Sequence, residues 1–187
     1  MAEKIKACVK FSFPAVLSFV LCTDKAGTAV FCLLSCLLHE LGHIIVLFGE
    51  GNIPRKITFC GGGIRLDVGS RYSVPALLGG CFANFLLFCL FCFAYDEKMQ
   101  LFAAVNLLTG ALNLLPIRPL DGGMLLERFL LCCISSEKIG KVMPSAEAAV
   151  GVIFILAVIY MFIKGLIGIS SFSFLAYLLG LEIIEKQ

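Results

Sequence analysis

The chain is divided into apolar stretches without charge, and these stretches constrain its fold more than any other feature. A hydrocarbon core about 30 Å thick takes roughly 20 helical residues. We expect six spans, at residues 11–23 extended back towards Lys6, 26–48, 72–95, 99–117, 148–163 and 165–181. The composition agrees, because 60% of the 187 residues are hydrophobic and 15% are charged, whereas soluble domains carry about a quarter charged residues. The sequence therefore predicts an all-α polytopic membrane protein that lies in a lipid bilayer.

Basic residues are shared unequally between the two sides that six spans would define. Of the 15 Lys and Arg, only Lys25, Lys98 and Lys164 fall on one side, which leaves 12 on the side of the two termini. Because positively charged loops stay in the cytoplasm, we expect both termini to be cytoplasmic. The formal net charge is +2, so no basic surface indicates nucleic acid as a partner.

A short segment between the second and third spans has the pattern of paired strands. Residues 57–68 alternate apolar and polar side chains around Gly61, Gly62 and Gly63, which is typical of a β-hairpin. An ordinary cytoplasmic loop is the alternative, because Gly-rich strands specify their register weakly. We expect a short hairpin that is cytoplasmic or associated with the membrane surface.

A charged segment follows the fourth span. Residues 118–145 carry too much charge to cross a membrane, and they predict a surface amphipathic helix from about Gly122 to Ile134. No repeat or linker divides the chain, so we expect residues 1–187 to form a single membrane-embedded domain.

Three ionisable residues fall within five positions of the second span, in His39-Glu40-Leu41-Gly42-His43. Four residues of an α-helix turn by about 400°, so the two imidazoles project from nearly one face and can share a zinc ion. Glu40 lies beside that face, where a general base is needed. The alternative is that these groups only pair with one another, but ionisable residues inside a span are costly and mark function by default.

Two histidines make an incomplete zinc site, because catalytic sites generally take three protein ligands. At the end of the fourth span, Pro116 and Pro119 cannot continue a regular helix, so the chain should unwind there. Asp121 could then point back at the metal. Gly122 and Gly123 would give that turn its backbone freedom and permit the close approach of another chain.

Several polar residues near these motifs have more than one interpretation. Asp121 could instead cap the helix that follows it. Cys36, three residues before His39, is a rival zinc ligand. Asn84 in the third span and Asn106 in the fourth could either serve function or form hydrogen bonds between helices.

The motifs resemble those of the site-2 proteases, intramembrane zinc metalloproteases, and among them the small sporulation-type members. The residues from His39 to His43 are similar to the family's metal motif, and those from Asn113 to Gly123 to its N-x-x-P-x-x-P-L-D-G motif. Gly80-Cys81-Phe82-Ala83-Asn84 resembles its third-span element G-P-x-x-N, with Cys81 in place of Pro. Together these elements cover a catalytic core of about residues 26–123.

The resemblance implies a single Zn²⁺ per chain, bound by His39, His43 and Asp121, with Glu40 as the general base. It also implies proteolysis as the activity. A non-proteolytic membrane protein that transports or binds a divalent metal is the alternative, because transport sites also lie beside broken helices in the membrane.

The resemblance implies further roles and partners. Asn84 and Asn113 would hold substrate or stabilise the oxyanion, and the strands around Gly61–Gly63 could pair with an unwound substrate. The substrate would be a membrane-tethered protein such as a sporulation sigma-factor precursor, and an inhibitory membrane protein is a further expected partner. We expect a multi-pass protein of a bacterial cell membrane, without the PDZ domain or the C-terminal nucleotide-binding domain that some members carry.

Overall fold

The computed structural model describes residues 6–9, 28–52, 54–60, 63–67, 72–118 and 120–164. In these residues the elements are β1 (Lys6–Val9), α1 (Thr28–Gly49), β2 (Lys56–Cys60), β3 (Gly63–Asp67), α2 (Val74–Phe91), α3 (Glu97–Asn113), α4 (Asp121–Cys133) and α5 (Ser136–Ile163). The chain divides into two compact units, Met1–Leu126 and Glu127–Gln187. The predicted catalytic core falls within the first unit, and a single domain stays a prediction.

Three helices of the described part are long and apolar enough to cross a membrane, at Val30–Gly49, Val74–Phe91 and Glu137–Ala157. The first two agree with the predicted second and third spans. The predicted fourth span coincides with α3, which has 17 residues and is therefore short for a hydrocarbon core that takes roughly 20. The predicted spans at 11–23 and 165–181 lie outside the described residues, so the number six stays a prediction.

Two predicted boundaries are wrong. They are the extension of the first span back towards Lys6 and the start of the fifth span at residue 148. Lys6–Val9 forms strand β1 rather than a helical extension, because it pairs with β2, a partner about 50 residues away that no local pattern reveals. The fifth span was expected to begin at residue 148, after the charged residues. Instead α5 begins at Ser136 and continues through Pro144, because charge excludes a residue from hydrocarbon but not from a helix.

Three strands form one sheet in the order β1-β2-β3. Along the chain β1 precedes α1, and β2 and β3 lie between α1 and α2. Strand β1 is parallel to β2, with Lys6 opposite Lys56. Strands β2 and β3 are antiparallel, with Cys60 opposite Gly63, over the residues for which the alternating pattern predicts a hairpin. The location of these strands relative to a membrane stays a prediction, and Gly61 and Gly62 lie outside the described residues.

Polar caps define where α2 and α3 begin. The Ser73 hydroxyl accepts the Ala76 N–H at the start of α2, and the Asp96 carboxylate accepts the Lys98 N–H at the start of α3. Such caps satisfy backbone donors that the first helical turn leaves free. Ser73 also donates to the Glu50 carboxylate, which ties the start of α2 to the end of α1.

Helices α1 and α2 approach each other backbone to backbone. A Cβ added at Gly79 would lie 2.8 Å from the Gly42 carbonyl oxygen, and one added at Gly42 would collide with the Gly79 carbonyl oxygen. Small residues allow this kind of approach between helices in membranes, where packing rather than water drives association. The contact brings the histidine face of α1 directly against α2.

The two faces of α1 differ in the opposite sense from a helix of a soluble protein. Its exposed face carries apolar side chains at helical spacing: Leu34, Leu37, Leu41, Ile45 and Phe48. Its buried face carries Ser35, His39, His43 and Leu47, each four residues apart. Apolar groups outside and polar groups inside suit a lipid environment rather than water.

Candidate metal centre

Three side chains from distant parts of the chain meet in the interior of the first unit. Asp121 Oδ2 lies 3.0 Å from His39 Nε2 and 3.2 Å from His43 Nε2. The two Nε2 atoms are 3.1 Å apart, and all three residues are buried. The helical spacing of the histidines and the turn before Asp121 therefore bring together the three ligands that the sequence predicts.

The donor set fits a zinc ion. Two imidazole nitrogens and a carboxylate oxygen are ligands that zinc takes at about 2.0–2.2 Å, so tetrahedral binding separates ligand atoms by roughly 3.3–3.5 Å. The observed separations of 3.0–3.2 Å need only a small expansion. Among the described residues, His39, His43 and Asp121 form the group whose atoms could share an ion. The rival ligand Cys36 is exposed and is not part of it.

The hydrogen bond of His43 gives an independent reason for a cation at this point. His43 Nδ1 lies 2.7 Å from the Ala76 carbonyl oxygen, which can only accept, so Nδ1 carries a proton. A neutral ring then presents a lone pair from Nε2 to the Asp121 oxygen, and two acceptors 3.2 Å apart repel. Either a proton on Nε2 or a metal ion must lie between them.

Asp121 reaches the histidines because α3 ends and α4 begins within a few residues. Helix α3 stops at Asn113, and Asp121 is the first residue of α4. Cβ atoms added at Gly122 and Gly123 would collide with the backbone of Leu114 and Ile117 in the intervening turn. Glycine at both positions therefore lets α4 begin against that turn, so the close approach is to the preceding backbone of the same chain.

The carboxyl of Asp121 lies outside the three candidate spans. Burial raises its pKa. Hydrogen bonds and charge interactions with His39 and His43 have the opposite effect and outweigh burial, so the pKa falls to about 2. The carboxylate is therefore ionised, which metal binding requires.

Gly80 supports the centre from α2. A Cβ added there would lie 2.5 Å from His43 Nε2 and 2.8 Å from His39 Nε2. The backbone of α2 thus passes directly beside the two ligand atoms, and no larger residue leaves room for them. In the sequence Gly80 stands out only as part of a motif, and its position four residues before Asn84, on the same helix face, is the signal that could have revealed its role.

Comparison with known proteins finds similarity to a curated protein and to a solved structure. No family model matches the chain. Rip3 of Mycobacterium tuberculosis, found in the Erdman and H37Rv strains and named provisionally as a zinc metalloprotease, is 31% identical over 143 residues. The match covers 63% of this chain and 34% of the relative, so the chain spans about a third of the length of this relative.

The solved structure of the Site-2 Protease from Methanocaldococcus jannaschii has the same fold. The TM-score is 0.63 at 20% sequence identity, over 94% of this chain and 89% of that chain. These two similarities support the assignment of the chain to the site-2 protease family. Its three long apolar helices and this fold indicate a membrane protein.

The other residues that the site-2 protease motifs single out are only partly brought together. Asn84 is fully buried, and its side-chain nitrogen lies 3.4 Å from His39 Nδ1. Glu40 is half-buried on α1, next to His39. The Asn113 side chain donates to the Thr109 carbonyl oxygen of its own helix, so its bond in this structure is with α3 rather than with the metal ligands.

Cys81, which departs from the site-2 protease pattern, contacts the centre directly. Its buried Sγ donates to Asp121 Oδ2 at 3.7 Å. A proline at this position would have no such donor. The departure therefore adds a thiol beside a ligand carboxylate, a contact between residues 40 positions apart that the sequence pattern does not indicate.

Proposed function

We propose that this chain is an intramembrane zinc metalloendopeptidase that cleaves a membrane-tethered protein in or beside its transmembrane segment. The buried cluster of His39, His43 and Asp121 carries the proposal, because three ligand groups without lipid-facing exposure are rare in apolar helices unless they serve function. Similarity to a zinc metalloprotease and to the fold of a site-2 protease supports the same activity. We expect about one zinc per chain.

The residues of this chain have separate tasks in the proposed reaction. When bound, zinc would supply a Lewis acid for the peptide carbonyl and for the attacking water. Glu40 takes a proton from that water as its oxygen attacks the carbonyl carbon. Glu40 then gives the proton to the amine that leaves when the C–N bond breaks. Asn113, at the last turn of α3, is proposed to hold substrate or to stabilise the oxyanion.

A helical substrate must unwind before it is cut, because its own hydrogen bonds hide the scissile carbonyl and lipid offers no replacement. We propose that the sheet accepts the unwound segment as an added strand. In the described sheet β2 is central, so β3, which begins at Gly63, offers an outer edge. Gly61 and Gly62, which lie outside the described residues, belong to the same segment proposed for substrate-strand pairing.

We further propose a bacterial multi-pass protein with six spans and both termini in the cytoplasm, as the distribution of basic residues favours. A sporulation sigma-factor precursor is the proposed substrate, on the resemblance to sporulation-type members. An inhibitory membrane protein is the proposed regulatory partner on the same ground.

Replacing Glu40 with Gln tests the activity. The wild-type chain, reconstituted in vesicles with a set of single-span reporter proteins, should cleave a reporter. Glu40→Gln should cut it about 10²–10⁴ times more slowly while keeping its zinc. Glu97→Gln is the matched control, because Glu97 is exposed at the start of α3 and should cleave normally.

Two results would contradict this proposal. Cleavage at the wild-type rate by Glu40→Gln would remove Glu40 as the base. Zinc uptake into the vesicles by a chain that cuts no reporter would favour the divalent-metal transporter instead.

A further inference from the structure

The two histidines of the proposed metal centre differ in what holds their second ring nitrogen. A histidine that binds a metal through Nε2 carries its proton on Nδ1, and that N–H needs an acceptor to orient the ring. For His43 the acceptor is the Ala76 carbonyl oxygen, 2.7 Å from Nδ1. For His39 the neighbour of Nδ1 is the Asn84 side chain, whose nitrogen lies 3.4 Å away.

The orientation of the Asn84 amide conflicts with the ligand role of His39. With its NH₂ group towards the ring, Asn84 can only donate to Nδ1, which would move the proton of a neutral His39 to Nε2. The Nε2 atom is the one that faces Asp121 at 3.0 Å, and a protonated Nε2 cannot bind a metal. Within the described structure the Asn84 Oδ1 atom is also buried without a hydrogen-bond partner.

A half-turn of the amide removes the conflict with the ligand role of His39. The oxygen and nitrogen of an Asn amide have nearly the same shape, and their assignment follows the hydrogen bonds around them. After rotation Oδ1 faces His39 Nδ1, so the unpaired oxygen gains a donor and the histidine gains an acceptor. Zinc binding at Nε2 is then compatible with the hydrogen bonds that the two rings make through Nδ1.

The surroundings of Asn84 hold its side chain in place. It is 0% exposed, and Gly110 of α3 packs beside it, because a Cβ added at Gly110 would lie 3.3 Å from the Asn84 Cβ. Gly80, one turn earlier on α2, lies beside both imidazoles. Asn84 therefore has a fixed position next to His39, and its complete burial leaves no surface for a substrate.

We propose that Asn84 is a positioning residue of the metal centre: its side-chain oxygen accepts the Nδ1–H of His39 and thereby aims Nε2 at the metal. The inference rests on the proposed zinc site. It assigns Asn84 to the support of a metal ligand, rather than to the substrate or oxyanion role that its motif implies.

Zinc affinity tests this assignment independently of proteolysis. The full chain is purified in detergent, and its zinc dissociation constant is measured by competition with a chelator. Asn84→Leu should weaken zinc binding about 10–100-fold, the effect of losing an outer partner of a ligand. Asn84→Asp keeps an acceptor at the same place and should stay within a few-fold of wild type.

Asn106→Leu is the matched control. Asn106 is also 0% exposed, but it bonds to Ser35 and the Phe102 carbonyl oxygen rather than to a histidine, so its loss should leave zinc affinity unchanged. An oxyanion donor at Asn84 would give the opposite pattern, with normal zinc affinity in Asn84→Leu, and that result would overturn the inference.

A spectroscopic measurement on the wild-type chain can overturn the inference even if a variant fails to fold. The chain has 2 His, so nitrogen NMR of the zinc-loaded, ¹⁵N-histidine-labelled protein resolves both rings. Each ring should carry a proton on Nδ1 and none on Nε2; a proton on Nε2 of His39 would overturn the inference. A wild-type chain that binds no zinc would overturn the proposed function together with the inference, whereas normal affinity in Asn84→Leu would overturn the inference alone.

Discussion

Two polar clusters lie on the same buried face of α1, one turn apart. They differ in whether the donors and acceptors of each cluster satisfy one another. Around Ser35, the hydroxyl contacts Asn106 Oδ1 and Thr109 Oγ1, each at 3.1 Å. Asn106 and Thr109 in turn donate to carbonyl oxygens of α3. Each of these three side chains thus has a partner, and the Ser35 cluster is complete without a ligand.

The metal cluster of His39, His43 and Asp121 is not complete in this sense. Its three ligand atoms lie 3.0–3.2 Å apart, and acceptors at such distances need a proton or a metal ion between them. Burial of polar groups in apolar helices is common to both clusters and is compatible with simple helix pairing. The balance of donors and acceptors is what separates a structural cluster from a functional one.

Removing Asp121 should have the largest effect on zinc binding. Asp121→Ala deletes one of three proposed ligands and should lower zinc affinity by about 100-fold or more, beyond the effect of an outer partner. Ser35→Ala, in the complete cluster, should keep its zinc. The measurement is zinc per purified chain in detergent, with about one expected for wild type.

Cys36→Ala provides a second control for that measurement. Cys36 is exposed and lies outside the group that could share an ion, so this variant should also bind about one zinc. Zinc that persists in Asp121→Ala, or that disappears with Cys36, would replace the proposed ligand set.

Gly80→Ala should have the next largest effect. The added Cβ would lie 2.5 Å from His43 Nε2, and the backbones of α1 and α2 are already in close contact at Gly42 and Gly79. The histidines must therefore shift, and zinc affinity should fall about 10–100-fold, as when ligands lose their orientation. The chelator competition assay measures this loss.

Gly151→Ala is the control for a methyl group added to a helix. A Cβ at Gly151 has nothing within 4 Å, and alanine favours a helix over glycine by about 1 kcal/mol. This variant should keep its zinc and be no less stable. Equal zinc affinity in the two variants would show that Gly80 does not limit the space beside the ligands.

The contrast between the two clusters also explains which features could be predicted from the sequence. The four-residue spacing of His39 and His43 follows from helical geometry, and the prolines before Asp121 predict the break that brings it back. These signals are local. The geometry agrees with them, although the catalytic roles stay proposals.

Features that depend on contacts between distant residues could not be predicted. Asn84 and Asn106 are both single amides in apolar spans, so the sequence does not distinguish a functional from a structural role for either. Only the neighbours across the helix interface, His39 for one and Ser35 for the other, separate them. The parallel pairing of β1 with β2 was missed for the same reason.

The smallest expected effect lies in the Ser35 cluster, where we expect a hydrogen bond that contributes to stability but not to zinc binding. A double-mutant cycle of Ser35→Ala and Asn106→Ala, followed by reversible unfolding in micelles, should give a coupling energy of about 0.6 kcal/mol, the average for hydrogen bonds between membrane helices. Zinc affinity should not change in any of the three variants. A change in zinc affinity that tracks the coupling would mean that the two clusters act as one network through α1, and that hydrogen-bond balance alone does not separate structure from function in this chain.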